Sequence, residues 1–317
     1  MSRADPDVSN PDKVFFPATD PSARGAAGDE ITKADVVDYY HRIAGHLLPH
    51  VARRPLVLQR FPDGIDGDGF FQKNTPDHVP DRIERVDIAT ADGGTTRYTV
   101  LDADGVDDLV YLADQGTIVF HALLGRAEDP DRPVEVVWDL DPSGDDLDSV
   151  RDAARELRSV LDDLGLEPRV KSTGSRGLHV VVDVIDGGAG QHGRGAGEPA
   201  AYDLTKRFAR AVAEEIEPRG PFTLEQRKER RGGRLFLDVL RNSAANHAVV
   251  PYSLRPLPGA PVAAPLDWDE ALSSSFDPRR ITLRNVFRRL GQMDDPWADP
   301  TEPRSTIADA LSALTGS

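Results

Sequence analysis

Apolar residues fall along the chain in two kinds of pattern, which predict helices and strands in irregular alternation. Apolar positions with helical spacing predict helices at 34–50, 143–163 and 200–216. Continuous apolar runs between turn residues predict strands at 54–61, 115–125, 135–141 and 234–240, with a strand–turn–strand unit at 168–185. Because these elements follow no regular βα period and show no repeat, the pattern favours an α+β fold over a doubly wound sheet.

Local signals refine the ends of these elements. Thr32 and Asp35 have the spacing of a capping box, so the first helix is expected to begin there. Short strands or a short helix are predicted at 82–90, 97–102 and 109–112, an Arg-rich helix at 277–290 and a tail helix at 307–314. Six glycines between 187 and 197 predict a flexible surface loop.

The composition narrows the class of protein. The 317 residues are 39% hydrophobic and 29% charged, as in an ordinary globular protein. The absence of Cys excludes disulfides, a thiol nucleophile and a thiolate zinc site. No segment resembles a signal peptide or a membrane span, so we expect no membrane partner and a cytoplasmic location.

The net charge of −16 argues at first against a nucleic-acid partner, because such binding depends on neutralising phosphates. The charge is unevenly distributed, however. The segment 143–163 holds seven acids and three bases, whereas 277–290 holds five arginines and one acid, and 222–241 holds six bases and three acids. Local basic regions therefore keep a nucleic-acid partner possible.

Carboxylates interrupt two of the predicted strands. Asp139 and Asp141 end the apolar run EVVWDLD, and their i, i+2 spacing places both on one side of a strand. Asp238 lies inside the run RLFLDVL. If the two strands are neighbours, the three carboxylates can share divalent cations such as Mn²⁺ or Mg²⁺. The alternatives are that the first pair ends a strand and caps the next helix, and that Asp238 pairs with an Arg. Without metal, one carboxyl of the first pair is expected to have a raised pKa.

The turn KSTGSRGLH at 171–179 combines two glycines, hydroxyl residues and two bases, which suits a phosphate cradle. It is not the Walker pattern, so no P-loop nucleotide triphosphatase is indicated. His179 follows the turn and His121 lies in the apolar run IVFHALL; a single His in such a position is more often structural.

Taken together, DLDP, KSTGSRGLH, FLDVLRN and PYSLR, in this order, closely resemble the polymerase domain of bacterial ligase D, a member of the archaeo-eukaryotic primase superfamily. The resemblance runs from about Lys13 to about Leu290 and includes RPLVLQRFPDGIDGDGFFQKN. It implies a primase-polymerase core with mixed or antiparallel sheets flanked by helices.

The resemblance also implies roles for matched residues. Asp139, Asp141 and Asp238 would bind two Mn²⁺ or Mg²⁺ ions and serve as the catalytic triad. The incoming nucleotide would meet Lys171, Thr173, Arg176, His179, His121, Arg241 and Arg255. DNA would meet Lys13, Lys33, Arg60, Phe70, Phe71, Lys73 and Arg231. Within this last set, Phe70 and Phe71 would stack on template bases, unless they pack inward from a turn, and Lys13 and Lys33 would bind a 5′-phosphate, unless they are ordinary surface lysines.

Two departures from the family pattern concern these residues. Thr173 replaces the usual Ser, which keeps the hydroxyl and adds a methyl group. Gln59 precedes Arg60 where the family often has Lys, which removes one positive charge from the strand that would face DNA.

The implied function is a template-dependent nucleotidyltransferase that extends a 3′-hydroxyl at gaps or broken DNA ends in non-homologous end joining, with ribonucleotides preferred over deoxyribonucleotides. The alternatives are a DNA-end-binding module with vestigial polymerase activity, a primase, and a two-metal phosphoesterase or nuclease. Expected partners are nucleoside triphosphates and 5′-phosphorylated DNA gaps or ends, with a separate DNA ligase and a Ku-type end-binding protein as further candidates.

The expected division of the chain is an N-terminal extension at 1–30, a catalytic domain at 31–295 and a tail at 296–317. No Lys lies in a K-x-D-G motif, which a covalent lysyl-adenylate ligase needs, so the chain is expected not to seal nicks. A stand-alone polymerase or one excised domain would both fit. The expected location in the cell is the nucleoid.

Overall fold

The computed structural model describes residues 8–18, 30–90, 93–184, 201–299 and 303–316. The strands in these ranges are β1 (Val14–Phe16), β2 (Ile31–Thr32), β3 (Leu56–Arg60), β4 (Phe70–Gln72), β5 (Arg85–Ala89), β6 (Thr95–Thr99), β7 (Thr117–Leu123), β8 (Glu135–Asp141), β9 (Arg169–Ser172), β10 (Leu178–Asp183), β11 (Phe222–Thr223), β12 (Leu235–Asp238), β13 (His247–Val249) and β14 (Pro265–Leu266). The α-helices are α1 (Lys33–Val51), α2 (Val106–Asp114), α3 (Leu147–Asp163), α4 (Ala201–Ile216), α5 (Trp268–Leu272), α6 (Val286–Leu290) and α7 (Ile307–Thr315).

Two sheets carry the fold. The first has the strand order β11-β12-β8-β10-β9-β14, and the second has the order β13-β7-β3-β6-β5 with β4 paired to β3. All of these pairs are antiparallel except β11 with β12. This arrangement of mixed and antiparallel sheets with flanking helices confirms the α+β prediction.

The alternation of residues along β8 decides which face of the first sheet is covered by helices. Trp138 and Leu140 belong to the main apolar core, which includes residues of α3 and α4, and Trp138 donates its Nε1 hydrogen to the carbonyl of Ala209 in α4 at 2.9 Å. Val137 instead packs with Ala248 of the second sheet. Asp139 and Asp141 lie on this second face, which is turned toward the other sheet.

Helix α1 begins where the sequence predicts. The Thr32 side chain accepts a hydrogen bond from the Asp35 backbone, and the Asp35 carboxylate accepts one from the Thr32 backbone, which completes the capping box. None of the described helices is both long and apolar enough to cross a membrane. The glycine-rich segment 187–197 lies outside the described residues, and the division of the chain near residues 30 and 295 stays a prediction.

The Arg-rich helix predicted at 277–290 is wrong over most of its length. Only Val286–Leu290 is helical. The preceding residues form turns and a single β-bridge because they bond to residues 260–262: Val262 donates to the carbonyl of Ile281, and Leu283 donates to that of Ala260, at 2.9 and 3.0 Å. These contacts with a distant segment outweigh the local helical pattern. The acidic helix likewise begins later than predicted, after its N-cap Asp146.

Candidate functional site

The three carboxylates meet at the centre of the first sheet. Asp139 on β8 is paired in register with Asp238 on β12, and on its other side with His179 on β10. The prediction that the two acid-bearing strands are neighbours is therefore confirmed. Asp141 lies two residues further along β8 and opens into the same pocket.

Arginine side chains pair with these carboxylates. Arg241 lies 3.2 Å from Asp139 and 3.8 Å from Asp238, measured between side-chain N and O atoms. Arg176 lies 2.8 Å from Asp141. The suggested Arg partner for Asp238 is thus present, but the same Arg also contacts Asp139. These pairs place basic side chains beside every carboxylate of the site.

The surroundings of the carboxylates shift their pKa values in different directions. Burial raises the pKa of Asp141, with Arg176 opposing and Asp139 adding to the rise. Burial also raises the pKa of Asp238, against the hydrogen bond from the Leu240 backbone. The expected rise for one carboxyl of the β8 pair is therefore confirmed in direction at Asp141, although burial contributes more than the neighbouring acid.

Asp139 behaves differently from its two neighbours. Burial acts to raise the pKa of Asp139, but His179 and Arg241 lower it by more. The pKa of Asp139 is therefore below its ordinary value. For His179, burial has the opposite effect and lowers the pKa to about 4, so the ring is neutral at neutral pH. At neutral pH, the positive charge beside Asp139 is therefore that of Arg241.

The turn between β9 and β10 is organised around Thr173. Its Oγ1 accepts hydrogen bonds from the backbone N–H groups of Ser175, Arg176 and Gly177, at 3.1 to 3.3 Å. These amides therefore point at the hydroxyl instead of forming the expected backbone cradle for a phosphate. A ligand in the pocket would therefore contact the side chains of the turn, chiefly Arg176, and not its backbone amides.

The glycines of the turn are required by close packing. A Cβ on Gly177 would lie 1.9 Å from the carbonyl oxygen of Leu140 in β8. Gly174 has φ +63°, and a Cβ there would lie 2.8 Å from the backbone of Val262. Two arginines from later in the chain bond to the turn: Arg255, which also lines the pocket, donates to the carbonyl of Thr173 at 3.0 Å, and Arg279 donates to that of Ser175 at 2.8 Å.

Lys171 does not reach the pocket in which the carboxylates lie. Its side chain is only 2% exposed and lines a smaller cavity with Glu135 and Arg54, on the far side of His179. Within the described part of the chain its Nζ has no hydrogen-bond partner. The prediction that Lys171 contacts the nucleotide directly is therefore not met by this arrangement.

The second sheet supplies the opposite wall of the pocket. His121 on β7 lies there as predicted, and His247 on β13, which the sequence analysis missed, lies beside it with a ring-centroid distance of 4.8 Å. No motif marked His247; the only signal was a His at the start of the short apolar run HAVV. Burial lowers the pKa of both rings, to about 4 for His247.

Phe70 and Phe71 project from β4 beside this wall. They are 46% and 53% exposed, so the alternative in which they pack inward is wrong. Phe71 lies 5.7 Å from the ring of His121, and Arg60 lies 5.6 Å from the ring of Phe70. Lys73, the residue that follows β4, is exposed.

The remaining basic residues lie at two places. Arg231 reaches within 4.0 Å of Asp141, at the carboxylate end of the pocket. Lys13 and Lys33 are joined by a backbone hydrogen bond of 2.8 Å, but each is paired with an acid, Asp63 at 2.5 Å and Asp114 at 2.8 Å. Because Lys33 is only 5% exposed, it is not an ordinary surface lysine.

The donor set of the site suits hard divalent ions. Carboxylates on paired strands are the ligands that Mg²⁺ and Mn²⁺ favour, and Asp139 and Asp238 stand side chain to side chain across β8 and β12. Among the described residues, no three His, Asp or Glu side chains are already gathered in metal-binding geometry. Arg176 and Arg241 occupy part of the carboxylate surface instead, so metal binding would require them to move.

Two sheets that enclose strand-borne carboxylates, faced by a Gly-bounded basic turn, are features of a primase-polymerase class of fold. The chain belongs to the family described as "LigD, primase-polymerase domain", whose sequence model matches residues 32–297. The family resemblance noted in the sequence is thereby confirmed.

Relatives and solved structures agree with this assignment. The multifunctional non-homologous end joining protein LigD of Mycolicibacterium smegmatis is 34% identical over 310 residues, which cover 96% of this chain and 37% of that protein. The bifunctional non-homologous end joining protein LigD of Bacillus subtilis is 31% identical over 288 residues, or 88% and 44% of the two chains. This chain thus spans less than half the length of these relatives.

The fold itself is similar to a solved structure, the polymerase domain of Mycobacterium tuberculosis ligase D in complex with DNA. The TM-score is 0.75 at 27% sequence identity, over 91% of this chain and 95% of that one.

Proposed function

We propose that this chain is a template-dependent nucleotidyltransferase that extends a 3′-hydroxyl at gaps or broken DNA ends, in non-homologous end joining. The observation that carries the proposal is the register pairing of Asp139 with Asp238, with Asp141 in the same arginine-lined pocket. Family membership supports it, because the related LigD proteins are named for end joining and the solved polymerase domain is in complex with DNA.

Asp139, Asp141 and Asp238 would hold two divalent ions, Mn²⁺ by preference. When bound, such ions lower the pKa of the attacking 3′-hydroxyl and stabilise the negative charge on the leaving pyrophosphate. The pairing of Arg176 with Asp141 and of Arg241 with Asp139 supports a second role for these arginines. Each guanidinium would exchange its carboxylate partner for phosphate oxygens of the incoming nucleoside triphosphate, because the planar guanidinium can bond two oxygens of either group at once.

The other side chains of the pocket would position the substrates. Thr173 keeps the turn in shape through its three amide contacts, so that Arg176 faces the triphosphate. Arg255, which bonds to the same turn and lines the pocket, would lie beside the triphosphate. His179, neutral at neutral pH, would offer one hydrogen-bond donor to the triphosphate or to Asp139. Phe70 and Phe71 would stack on template bases, which is a contact that tolerates any sequence.

Further parts of the proposal concern DNA and partners. Lys13 and Lys33 would bind the 5′-phosphate of a gap or end, in exchange for their present contacts with Asp63 and Asp114. Ribonucleotides would be preferred over deoxyribonucleotides. A separate DNA ligase and a Ku-type protein would act with the chain at the nucleoid.

The test is incubation of the chain with a 5′-phosphorylated gapped duplex, Mn²⁺, and ribo- or deoxyribonucleoside triphosphates, followed by a denaturing gel. We expect template-directed extension, more efficient with ribonucleotides. DNA binding without extension would instead support an end-binding module, and shortening of the primer would support a nuclease. A duplex lacking the 5′-phosphate is the control for the proposed end contact, and it should be extended less.

A further inference from the structure

A row of four side chains crosses the first sheet at the level of the carboxylates. Asp238 on β12 is paired in register with Asp139 on β8. Asp139 is paired in turn with His179 on β10, and His179 with Lys171 on β9. Residues directly opposite each other in antiparallel strands place their side chains on one face, with Cβ atoms about 5 Å apart. The row therefore runs from two proposed metal ligands, through His179, to Lys171 at its other end.

The Lys171 end of this row holds two buried nitrogen atoms that lack a hydrogen-bond partner. They are Nδ1 of His179 and Nζ of Lys171, and no group in the described ranges bonds to either of them. Both residues line one small cavity, which measures about 10 Å³. A polar space of this size holds at most a single water molecule. Lys171 is thus within reach of the His179 ring, directly or across one water.

Lys171 is the side chain of this cavity that has hydrogen-bond donors to spare. The other polar side chains that line it, besides His179, are Arg54, Glu135 and Trp297. Each side-chain nitrogen of Arg54 already donates, one of them to Glu135, and the Trp297 indole donates to a backbone carbonyl. Ionised Glu135 only accepts, whereas a lysine amine has two N–H donors when neutral and three when charged.

We propose that Lys171 is a positioning residue that donates a hydrogen bond to Nδ1 of His179, directly or through one buried water. Nδ1 is then the acceptor of the neutral ring, so the ring hydrogen is on Nε2. Nε2 lies 3.5 Å from Asp139, and His179 lines the carboxylate pocket. The bond at Nδ1 fixes the orientation of the ring and strengthens Nε2–H as a donor to a triphosphate. The inference rests on the proposed function, in which His179 bonds the triphosphate.

The energetic cost of Lys171 supports a functional role over a structural one. Burial lowers the pKa of Lys171 to about 7, because the charged amine is poorly solvated there. An apolar side chain of similar length would avoid this cost. Lys171→Met is therefore expected to stabilise the fold and, at the same time, to weaken triphosphate binding. Loss of structure cannot produce this combination.

The first measurement is the nitrogen NMR spectrum of the His179 ring without nucleotide, assigned by its loss in His179→Phe. In the unchanged chain we expect a hydrogen on Nε2 and an Nδ1 resonance shifted by an accepted hydrogen bond. In Lys171→Met the Nδ1 resonance should move toward that of an acceptor without a donor. Lys206→Met, at an exposed position on α4, is the control and should leave the spectrum unaltered. A hydrogen on Nδ1 in the unchanged chain, or an Nδ1 resonance that Lys171→Met leaves in place, would overturn the inference.

The second measurement is the dissociation constant of ATP, with Mn²⁺ and without DNA, in a double-mutant cycle of Lys171→Met and His179→Phe. Lys171→Met alone should weaken ATP binding about fivefold, the effect of one neutral hydrogen bond. In the His179→Phe background the same substitution should change the constant less than about twofold, because its effect passes through the ring. Unaltered ATP binding in Lys171→Met, or equal weakening in both backgrounds, would refute a role through His179.

Primer extension on the gapped duplex, run in parallel, separates this outcome from the fate of the proposed function. The expected spectra and ATP constants without any extension by the unchanged chain would refute the polymerase and leave the Lys171 contact standing. Extension by the unchanged chain, with an Nδ1 resonance that does not respond to Lys171→Met, would refute the Lys171 contact alone. If the unchanged chain binds no ATP, the proposed function fails, and the ring spectrum alone decides the contact.

Discussion

At the scale of single residues, Lys171 is a basic group buried where its charge is poorly compensated. Its ammonium group is buried in the first sheet beside His179, with acids nearby but no hydrogen-bond partner within the described residues. Burial, with the charge of Arg255 adding to it and those of Asp139 and Glu135 opposing it, lowers the pKa of Lys171 to about 7. A buried Lys of this kind costs stability whenever it is charged.

This cost predicts a pH-dependent effect of Lys171→Met. In the unfolded chain Lys171 binds its proton up to its ordinary pKa of 10.5, but in the folded chain only up to about pH 7. Between these values the unfolded state holds the extra proton, so the folded chain gains stability as pH rises. The variant should therefore be more stable than the unchanged chain by on the order of 3 kcal/mol near neutral pH, and the difference should shrink toward pH 10.

Urea unfolding at about pH 7 and about pH 10 measures this difference. Lys206→Met is the control, because Lys206 is exposed on α4 and its replacement should change stability little at either pH. A gain of the same size at both pH values would contradict the account of Lys171.

At the scale of elements, the turn between β9 and β10 depends on Gly177. A Cβ there would lie 1.9 Å from the carbonyl oxygen of Leu140, a distance that requires β8 and β10 to separate locally. We expect Gly177→Ala to lower the free energy of unfolding by about 1 to 3 kcal/mol, as overpacking does, and to lower extension activity because Arg176 moves with the turn.

Gly45→Ala is the matched control for this substitution. Gly45 lies within α1, and nothing is within 4 Å of a Cβ placed there, so the helix should be stabilised by up to about 1 kcal/mol. A Gly177→Ala variant with unchanged unfolding and activity would show that the turn tolerates the displacement.

The sequence predicted those elements whose signals are local. The capping box of Thr32 and Asp35 determined the start of α1, and the apolar runs around Asp139 and Asp238 predicted two strands that proved to be neighbours. The prediction of a helix at 277–290 was wrong because the backbone of this segment forms hydrogen bonds with residues 260–262, a separate segment of the chain. His247 was missed for a similar reason: only the pairing of β13 with β7 brings it beside His121.

At the scale of the whole molecule, most acids of α3 lie away from the arginines of the pocket. Helix α3 covers the far face of the first sheet, whereas Arg176, Arg231 and Arg241 lie at the pocket. The exception is Asp148 at the start of α3, which lines a neighbouring cavity with Arg176. DNA would then meet a local positive region on a chain of net charge −16, and its binding should weaken steeply with salt.

Lys73 and Lys206 offer a matched test of this separation, since both are exposed lysines and, of the two, only Lys73 is close enough to the pocket to act electrostatically on His247. Lys73→Ala should weaken DNA binding for all sequences and reduce the slope of log affinity against log salt by about 1. Lys206→Ala makes the same change of net charge on α4 and should leave the slope unaltered. Equal effects of the two variants would mean that net charge, and not the pocket, governs binding.

The central claim is that the three carboxylates of the paired strands carry nucleotide transfer with divalent ions. It is tested most directly by primer extension on a 5′-phosphorylated gapped duplex with Mn²⁺, comparing the unchanged chain with Asp139→Ala and Asp238→Ala. Asp152→Ala, an exposed acid on α3, is the control. We predict that extension is abolished in the first two variants and retained in the third, while DNA binding persists in all of them. Extension that survives in Asp139→Ala or Asp238→Ala would contradict the claim.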